Sequence, residues 1–354
     1  MDLFDRLTIP IIQAPMLGAS TLEMTLAVSR AGGLGSLAAA GMAPGALEAA
    51  VAELKGATDR PFAVNLLMSE PARPTASEVS QALEVLRPWY EARGLDLPDP
   101  PNDFALNYDH QFEALVRAAP PAASFTFSIL TADQVAALRA RGTAVIGTAT
   151  TVTEARAWEA VGADAVCAQG AEAGGHRGSF LAPLEDSLVG TMALVATIRQ
   201  AVKIPVVAAG GIMDGRGVAA VLALGAAAAQ MGTAFLLADQ TMASAPWRRA
   251  IETAGDDPTR LTRAFSGRYA RGIENDFMRR MRPMEHAVPA YPVQNRLTQP
   301  LRAGAAAQGD DQALSLWAGQ AVKLAGPGDA GALVERWWAE AKEAAWALVK
   351  RTGG

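Results

Sequence analysis

Short apolar runs alternate along this chain with longer segments whose apolar residues return every three or four positions. That is the pattern of buried strands separated by amphipathic helices. Strands are predicted over residues 9–16, 34–39, 62–67, 124–129, 144–150, 165–169, 205–210 and 228–236. Helices are predicted between them over 22–31, 44–54, 131–140, 152–161, 187–202 and 215–224. The local chemistry agrees. Gly32-Gly33 stops the first helix, Pro44 opens the second, and Thr131 with Gln134 has the spacing of a capping box. The strands are nearly continuous in apolar residues, as parallel strands covered on both faces are.

Eight strands alternating with helices predict an α/β fold, a (β/α)8 TIM barrel. An open doubly wound sheet is the rival, but the first strand–helix turn lacks the dinucleotide glycine pattern. Two connections exceed ordinary loop length. The first, 69–123, holds helical pieces at 77–93 and 109–118 around a proline-rich 97–101. The second follows the eighth strand and carries Trp247, Tyr269, Phe277 and Tyr291. The expected organisation is therefore a barrel of residues 1–238 and 310–354, with a small helical subdomain, 239–309, over the active-site mouth. Residues 310–324 and 330–349 read as helices. Trp337, Trp338 and Trp346 on the latter read as core or an oligomer contact, which leaves a homodimer open.

Composition narrows the function classes. Half of the 354 residues are hydrophobic, 19% are charged, and the net charge is −5. A nucleic-acid partner is not expected, since the arginine-rich stretch 260–282 also holds Glu274 and Asp276 and reads as a solvated helical face. The single cysteine, Cys167, sits in an apolar run and excludes an internal disulfide or a multi-cysteine metal site; no metal is expected. Asp2 and Asp5 precede the first strand where a signal peptide would be basic and then apolar, and glycines, Pro44 and Glu48 break the alanine-rich run 31–52. No membrane association is expected, and the location is read as cytoplasmic.

The candidate chemistry centres on Gln169-Gly170-Ala171-Glu172-Ala173-Gly174-Gly175-His176-Arg177-Gly178, directly after the sixth strand. Its glycines allow close approach of backbone to a flat ligand, and His176 emerges at the carboxyl end of a strand, where barrel enzymes do their chemistry. Gly210-Gly211 after the seventh strand and Gln230-Met231-Gly232-Thr233 on the eighth form a phosphate-binding pair of loops with neutral donors. Ala14-Pro15-Met16 ends the first strand as a platform for a flat ring. Asn65 and Gln169 carry the donor and acceptor groups that match a flavin pyrimidine edge.

Together these motifs resemble the nitronate monooxygenase family, formerly the 2-nitropropane dioxygenases, and Gly170 to Gly178 is similar to its class I. The resemblance extends through Ile11 to Met16, Val64-Asn65, Ala208 to Ile212, Gln230 to Thr233, Tyr291 to Asn295 and Leu316 to Gln320. It implies an FMN-dependent oxidoreductase with His176 as catalytic residue. It implies cofactor contacts from Asn65, Gln169, Gly174, Gly211, Gln230, Met231, Gly232 and Thr233, to which the reading of the motifs themselves adds Ala14, Pro15, Met16, Gly175 and Gly210. Thr126, where some members carry a histidine, and Tyr291 are expected to face substrate. The implied reaction oxidises alkyl nitronates, such as propionate 3-nitronate, with O2 to an aldehyde, ketone or oxo acid and nitrite. His176 is either a cationic anion binder or a neutral base. Two rivals stay open: an FMN-dependent NAD(P)H:quinone or enoyl-thioester reductase on the same barrel, and a non-catalytic flavin-binding or cofactor-free barrel.

Overall fold

Strands that are apolar on both faces need neighbours on both faces, and a closed parallel sheet ringed by helices supplies them. A computed structural model, which describes residues 3–69 and 72–351, shows this arrangement; Asp2 lies outside the described residues. In chain order the strands are β1 (Ile11–Gln13), β2 (Gly35–Ala38), β3 (Phe62–Leu67), β4 (Ala122–Thr126), β5 (Ala144–Ala149), β6 (Ala165–Gln169), the two-residue β7 (Gly175–His176), β8 (Val206–Ala209), β9 (Ala228–Met231), β10 (Thr259–Thr262) and β11 (Ala270–Ile273). All but β7, β10 and β11 form one parallel sheet ordered β1-β9-β8-β6-β5-β4-β3-β2. A parallel bridge between Ile12 and Leu34 brings β1 and β2 together and closes the barrel.

The barrel interior is filled by small and branched side chains, among them Ile12, Leu34, Ala63, Ala122, Ile146 and Val207. A larger core lies between strands and helices. There Trp158 is wholly buried, and Trp337 meets Phe235 edge-on at 5.0 Å between centroids. Thr131 and Gln134 form the expected capping box on the helix Ala132–Ala140. The insertion between β3 and β4 holds the two expected helices, Ala76–Glu91 and Tyr108–Ala118.

Several sequence expectations need correction. The eighth barrel strand ends at Met231, and Thr233–Phe235 is a 3₁₀ turn, because the apolar residues beyond Met231 are buried by a turn that folds back. The expected helix 187–202 begins only at Thr191, after a 3₁₀ turn Glu185–Ser187. The segment after β9 is not wholly helical. Between the helices Ala245–Glu252 and Asp276–Met281 it inserts the hairpin β10–β11, and β11 pairs antiparallel with β7. The arginine-rich stretch is therefore no solvated helical face. Arg271 is buried on β11, while Arg279 and Arg280 stand outward near Asp276. Residues 310–324 are not a helix either. They cross as an irregular strand bridged to Gly272 at Trp317 and end in the 3₁₀ turn Val322–Leu324. The tryptophans on the helix Ala330–Arg351 do not share one environment. Trp337 is core, but Trp346 is 67% exposed. No helix of the described residues is long and apolar enough to cross a membrane.

Candidate active site

A cavity of about 840 Å³ opens at the carboxyl ends of the barrel strands. Its walls bring together Ala14, Pro15, Met16, Asn65, Thr126, Gln169, Gly174, Gly175, His176, Gly210, Gly211, Gln230, Gly232, Thr233 and Tyr291. Met231 is the exception among the expected site residues. Side chains alternate along a strand, so with Gln230 and Gly232 at the cavity Met231 turns outward, where it is buried in the core between strands and helices.

One end of the cavity suits a phosphate. Gly210 and Gly211 follow β8 with φ of +115° and +72°, a backbone that side-chain-bearing residues avoid. Beside them, after the neighbouring β9, the turn at Gly232-Thr233 presents N–H groups without intrahelical partners. Thr233 Oγ1 accepts from the Gly319 N–H at 2.9 Å, which ties the crossing strand to this end. Gly174 has a different reason to be glycine. A Cβ there would sit 2.5 Å from the Ala318 carbonyl carbon and the Gly319 nitrogen, so the absent side chain lets that strand pass.

The middle of the cavity carries a few fixed polar atoms. Asn65 Nδ2 donates to the Ser124 carbonyl at 3.1 Å and to Ser124 Oγ at 3.0 Å. A carbonyl can only accept, so this pairing fixes the amide orientation and leaves Oδ1 to accept from a ligand N–H. Gln169 is more committed than the sequence suggested. Its Oε1 accepts from Gly178 N at 2.8 Å and its Nε2 donates to the His176 carbonyl at 3.0 Å, so it clamps the histidine loop from within. Thr126 and Thr148 share a hydroxyl–hydroxyl bond of 3.1 Å on the cavity wall.

His176 sits in a cluster of rings. Phe127 and Tyr291 meet its imidazole edge-on at 5.4 and 5.9 Å, and Trp317 lies at 5.6 Å. Strand pairing with Ala270 fixes its backbone. The Nε2 atom is 2.8 Å from Ser266 Oγ. That hydroxyl has one hydrogen, which goes to the Arg268 carbonyl at 2.9 Å. Ser266 must therefore accept from His176, so the ring carries its proton on Nε2 and keeps Nδ1 as an acceptor. Burial, with Arg268 and then Arg302 nearby, pushes the His176 pKa down to about 3. The imidazole is neutral at ordinary pH.

Sequence reasoning missed several contributors. Ser266 aims the ring. Arg268 lies over Phe127, 4.2 Å from its centroid, and donates to the carbonyls of Arg177 and Ser179. Phe127 holds φ of +89° at the cavity, a strained backbone for an aromatic residue. Arg302 lines the wall beside Asn295 and Ser315. Trp317 fell within the resemblance but had no assigned role. Cys167 also faces the cavity. Burial raises its pKa to about 12, which keeps the thiol protonated and unreactive.

Comparison with known proteins finds relatives over most of the chain. The family model described as nitronate monooxygenase matches residues 2–340. A nitronate monooxygenase of Pseudomonas aeruginosa is 43% identical over 320 residues, 89% of this chain and 91% of that protein. A probable nitronate monooxygenase of Staphylococcus saprophyticus is 41% identical over 336 residues, 94% and 95% of the two chains. Among solved structures, a nitroalkane oxidase from Streptomyces ansochromogenes superimposes with a TM-score of 0.90 at 44% identity, covering 98% of this chain and 99% of that one. FabK from Thermotoga maritima superimposes at 0.77 with 30% identity over 99% and 98%.

Proposed function

The chain belongs to the nitronate monooxygenase family, and from that premise we propose that it is an FMN-dependent oxidoreductase that converts alkyl nitronates, such as propionate 3-nitronate, and O2 into carbonyl compounds and nitrite. The observation that carries the reading is a neutral His176, aimed by Ser266, in the same cavity as a glycine-built phosphate end.

The residues present fit FMN. Gly210, Gly211, Gly232 and Thr233 would hold the phosphate through backbone donors. Ala14, Pro15 and Met16 would lie against the ring, and Asn65 Oδ1 would accept from its pyrimidine edge. Gly174, Gly175 and Gln230 complete the wall, with Gln169 holding the loop behind it. The cofactor supplies the electron-accepting chemistry. The protein supplies the rest. Phe127, Tyr291 and Trp317 exclude water around the reacting carbon, and Thr126 bounds the substrate on the β4 side. His176 Nδ1 takes the α-proton when the substrate arrives as a nitroalkane, and Ser266 holds the ring in the tautomer that leaves this atom unprotonated.

Oxygen uptake and nitrite release with propionate 3-nitronate test the reaction, and the mass of the chromophore freed by heat tests the cofactor. A protein that releases FAD, or nothing, or that consumes no oxygen with any nitronate would overturn the proposal.

A further inference from the structure

Arginines gather around this site, and Arg177, Arg268, Arg271, Arg296 and Arg302 all lie beyond 4.0 Å of any carboxylate oxygen among the described residues; Arg296 reaches the cavity from an exposed position and donates to Gln299 Oε1. Three of them spend their donors on fixed backbone. Arg177 binds the carbonyls of Gly170, Gln169 and Ser187. Arg268 binds those of Arg177 and Ser179, and Arg271 that of Ala171. They knit loops together and do not line the cavity.

Arg302 differs in lining the cavity and in leaving one Nη without a well-formed bond. It lines the cavity beside Tyr291 and Trp317. Its Nη2 is anchored by the Asn295 carbonyl and Oδ1, both at 2.9 Å. Its Nη1 has only a 3.5 Å approach to Ser315 Oγ, longer than a well-formed bond. Its Nε is shut away from solvent with no partner. Burial lowers its pKa to about 10, so it remains a cation at neutral pH, and no carboxylate stands among the groups that act on it. A half-buried guanidinium at a cavity wall with no carboxylate beside it is favoured by an anion that completes it.

We propose that Arg302 is the anion-holding residue of the substrate site: the Nη1 side of its guanidinium takes the nitronate oxygens and selects the ionised substrate over the neutral nitroalkane. The two oxygens of a nitronate share one negative charge across a planar fork, which a guanidinium matches as it matches a carboxylate. A neutral nitro group offers the same shape without the net charge. His176 cannot supply that charge, because it is neutral. The inference rests on the proposed function and divides its labour: Arg302 holds the anion and His176 handles the proton.

The test uses flavin-loaded enzyme and nitrate, a planar oxyanion that cannot be oxidised, titrated by its perturbation of the visible spectrum. Arg302→Gln is expected to weaken nitrate by roughly 10- to 100-fold, the range for a hydrogen bond to a charged group. The KM for ethyl nitronate should rise in step, and the KM for nitroethane, which carries no net charge in its ground state, should rise by clearly less. Arg302→Lys, which keeps the charge and loses the fork, should fall between. It carries the test alone if Arg302→Gln does not retain its flavin, and an unmoved nitrate affinity in it would then overturn the inference. So would Arg302→Gln enzyme that binds nitrate normally, or that loses nitrate and nitroethane equally. Arg302-dependent nitrate binding in a protein with no nitronate turnover would support this inference and sink the proposed reaction. Normal turnover with an unmoved KM in Arg302→Gln would do the reverse.

Discussion

Ser266 receives its hydrogen bond from His176 and does not give it, because its own proton is committed to the Arg268 carbonyl. The serine thus decides which ring nitrogen is basic. Ser266→Ala should leave the fold and flavin intact but free the imidazole to rotate and change tautomer. A loss of about tenfold in kcat/KM is expected for nitroethane, below the ~10²–10⁴-fold expected of His176→Asn. Both should matter less for a preformed nitronate, which has no proton to lose. Equal losses on the two substrate forms would remove the base role.

The lowered pKa of His176 makes a second prediction, on stability. In the folded chain the ring titrates near 3, and unfolded near 6.5. Between those values the unfolded state binds the extra proton, so stability is present in full above about 6.5 and is lost progressively as pH falls toward 3. Thermal melts of wild type and His176→Asn from pH 7.5 to 4.5 should converge on acidification, since the variant lacks this penalty. Parallel melting curves would contradict the assigned neutrality.

At Gly211 the strain is in the backbone. A Cβ would meet only the Glu172 side chain, no nearer than 3.4 Å, but the φ of +72° disfavours any side chain. Gly211→Val should cost about 1–3 kcal/mol and should reduce bound flavin more than it lowers Tm, because the new methyls stand at the phosphate end. Full flavin content, read as the visible-to-ultraviolet absorbance ratio, would place the phosphate elsewhere.

Tyr291 packs edge-on against Phe127 at 5.2 Å, and burial raises its pKa, so its hydroxyl stays protonated. Tyr291→Phe keeps the ring and removes one hydrogen-bonding group. The expected effect is a roughly 2- to 10-fold higher KM or lower turnover for nitronates with flavin retained. Steady-state kinetics indistinguishable from wild type would make the residue purely a wall.

The core offers a control remote from the chemistry. A Cβ at Gly147 on β5 would lie 1.9 Å from the Trp158 ring, which is wholly buried and donates from Nε1 to the Thr148 carbonyl at 3.0 Å. Gly147→Ala should therefore destabilise the barrel by at least ~1–3 kcal/mol through overpacking. Denaturant unfolding measures this directly, and a neutral result would mean that Trp158 has room to move.

The barrel was legible because its strands are buried on both faces, so Phe62–Leu67 and Ala165–Gln169 stood out with their observed ends. The β10–β11 hairpin was not. Arg260, Arg263, Arg268 and Arg271 disguise it as surface, and it is partner strands, not local propensity, that carry Arg271 inward. The 310–324 segment misled through helix-favouring alanine and leucine, although Gly272 and Trp317 bind it as a crossing strand. In the site, contiguous motifs such as Gly174-Gly175-His176 and Gly210-Gly211 could be read. Phe127, Ser266 and Arg302 could not, since each acquires its place only when distant loops converge, and nothing in its immediate neighbours marks it.

The pairing of His176 with Ala270 has a consequence for how such a protein can diversify. The stretch that supplies the base and the β10–β11 hairpin behind it belong to one small sheet, ordered β10-β11-β7. An insertion or exchange in that hairpin would re-aim the imidazole. The hairpin and the base are therefore constrained as a unit, and the freer ground for new specificity is the stretch 103–106, which lines the cavity from the β3–β4 insertion and pairs with no strand of that sheet.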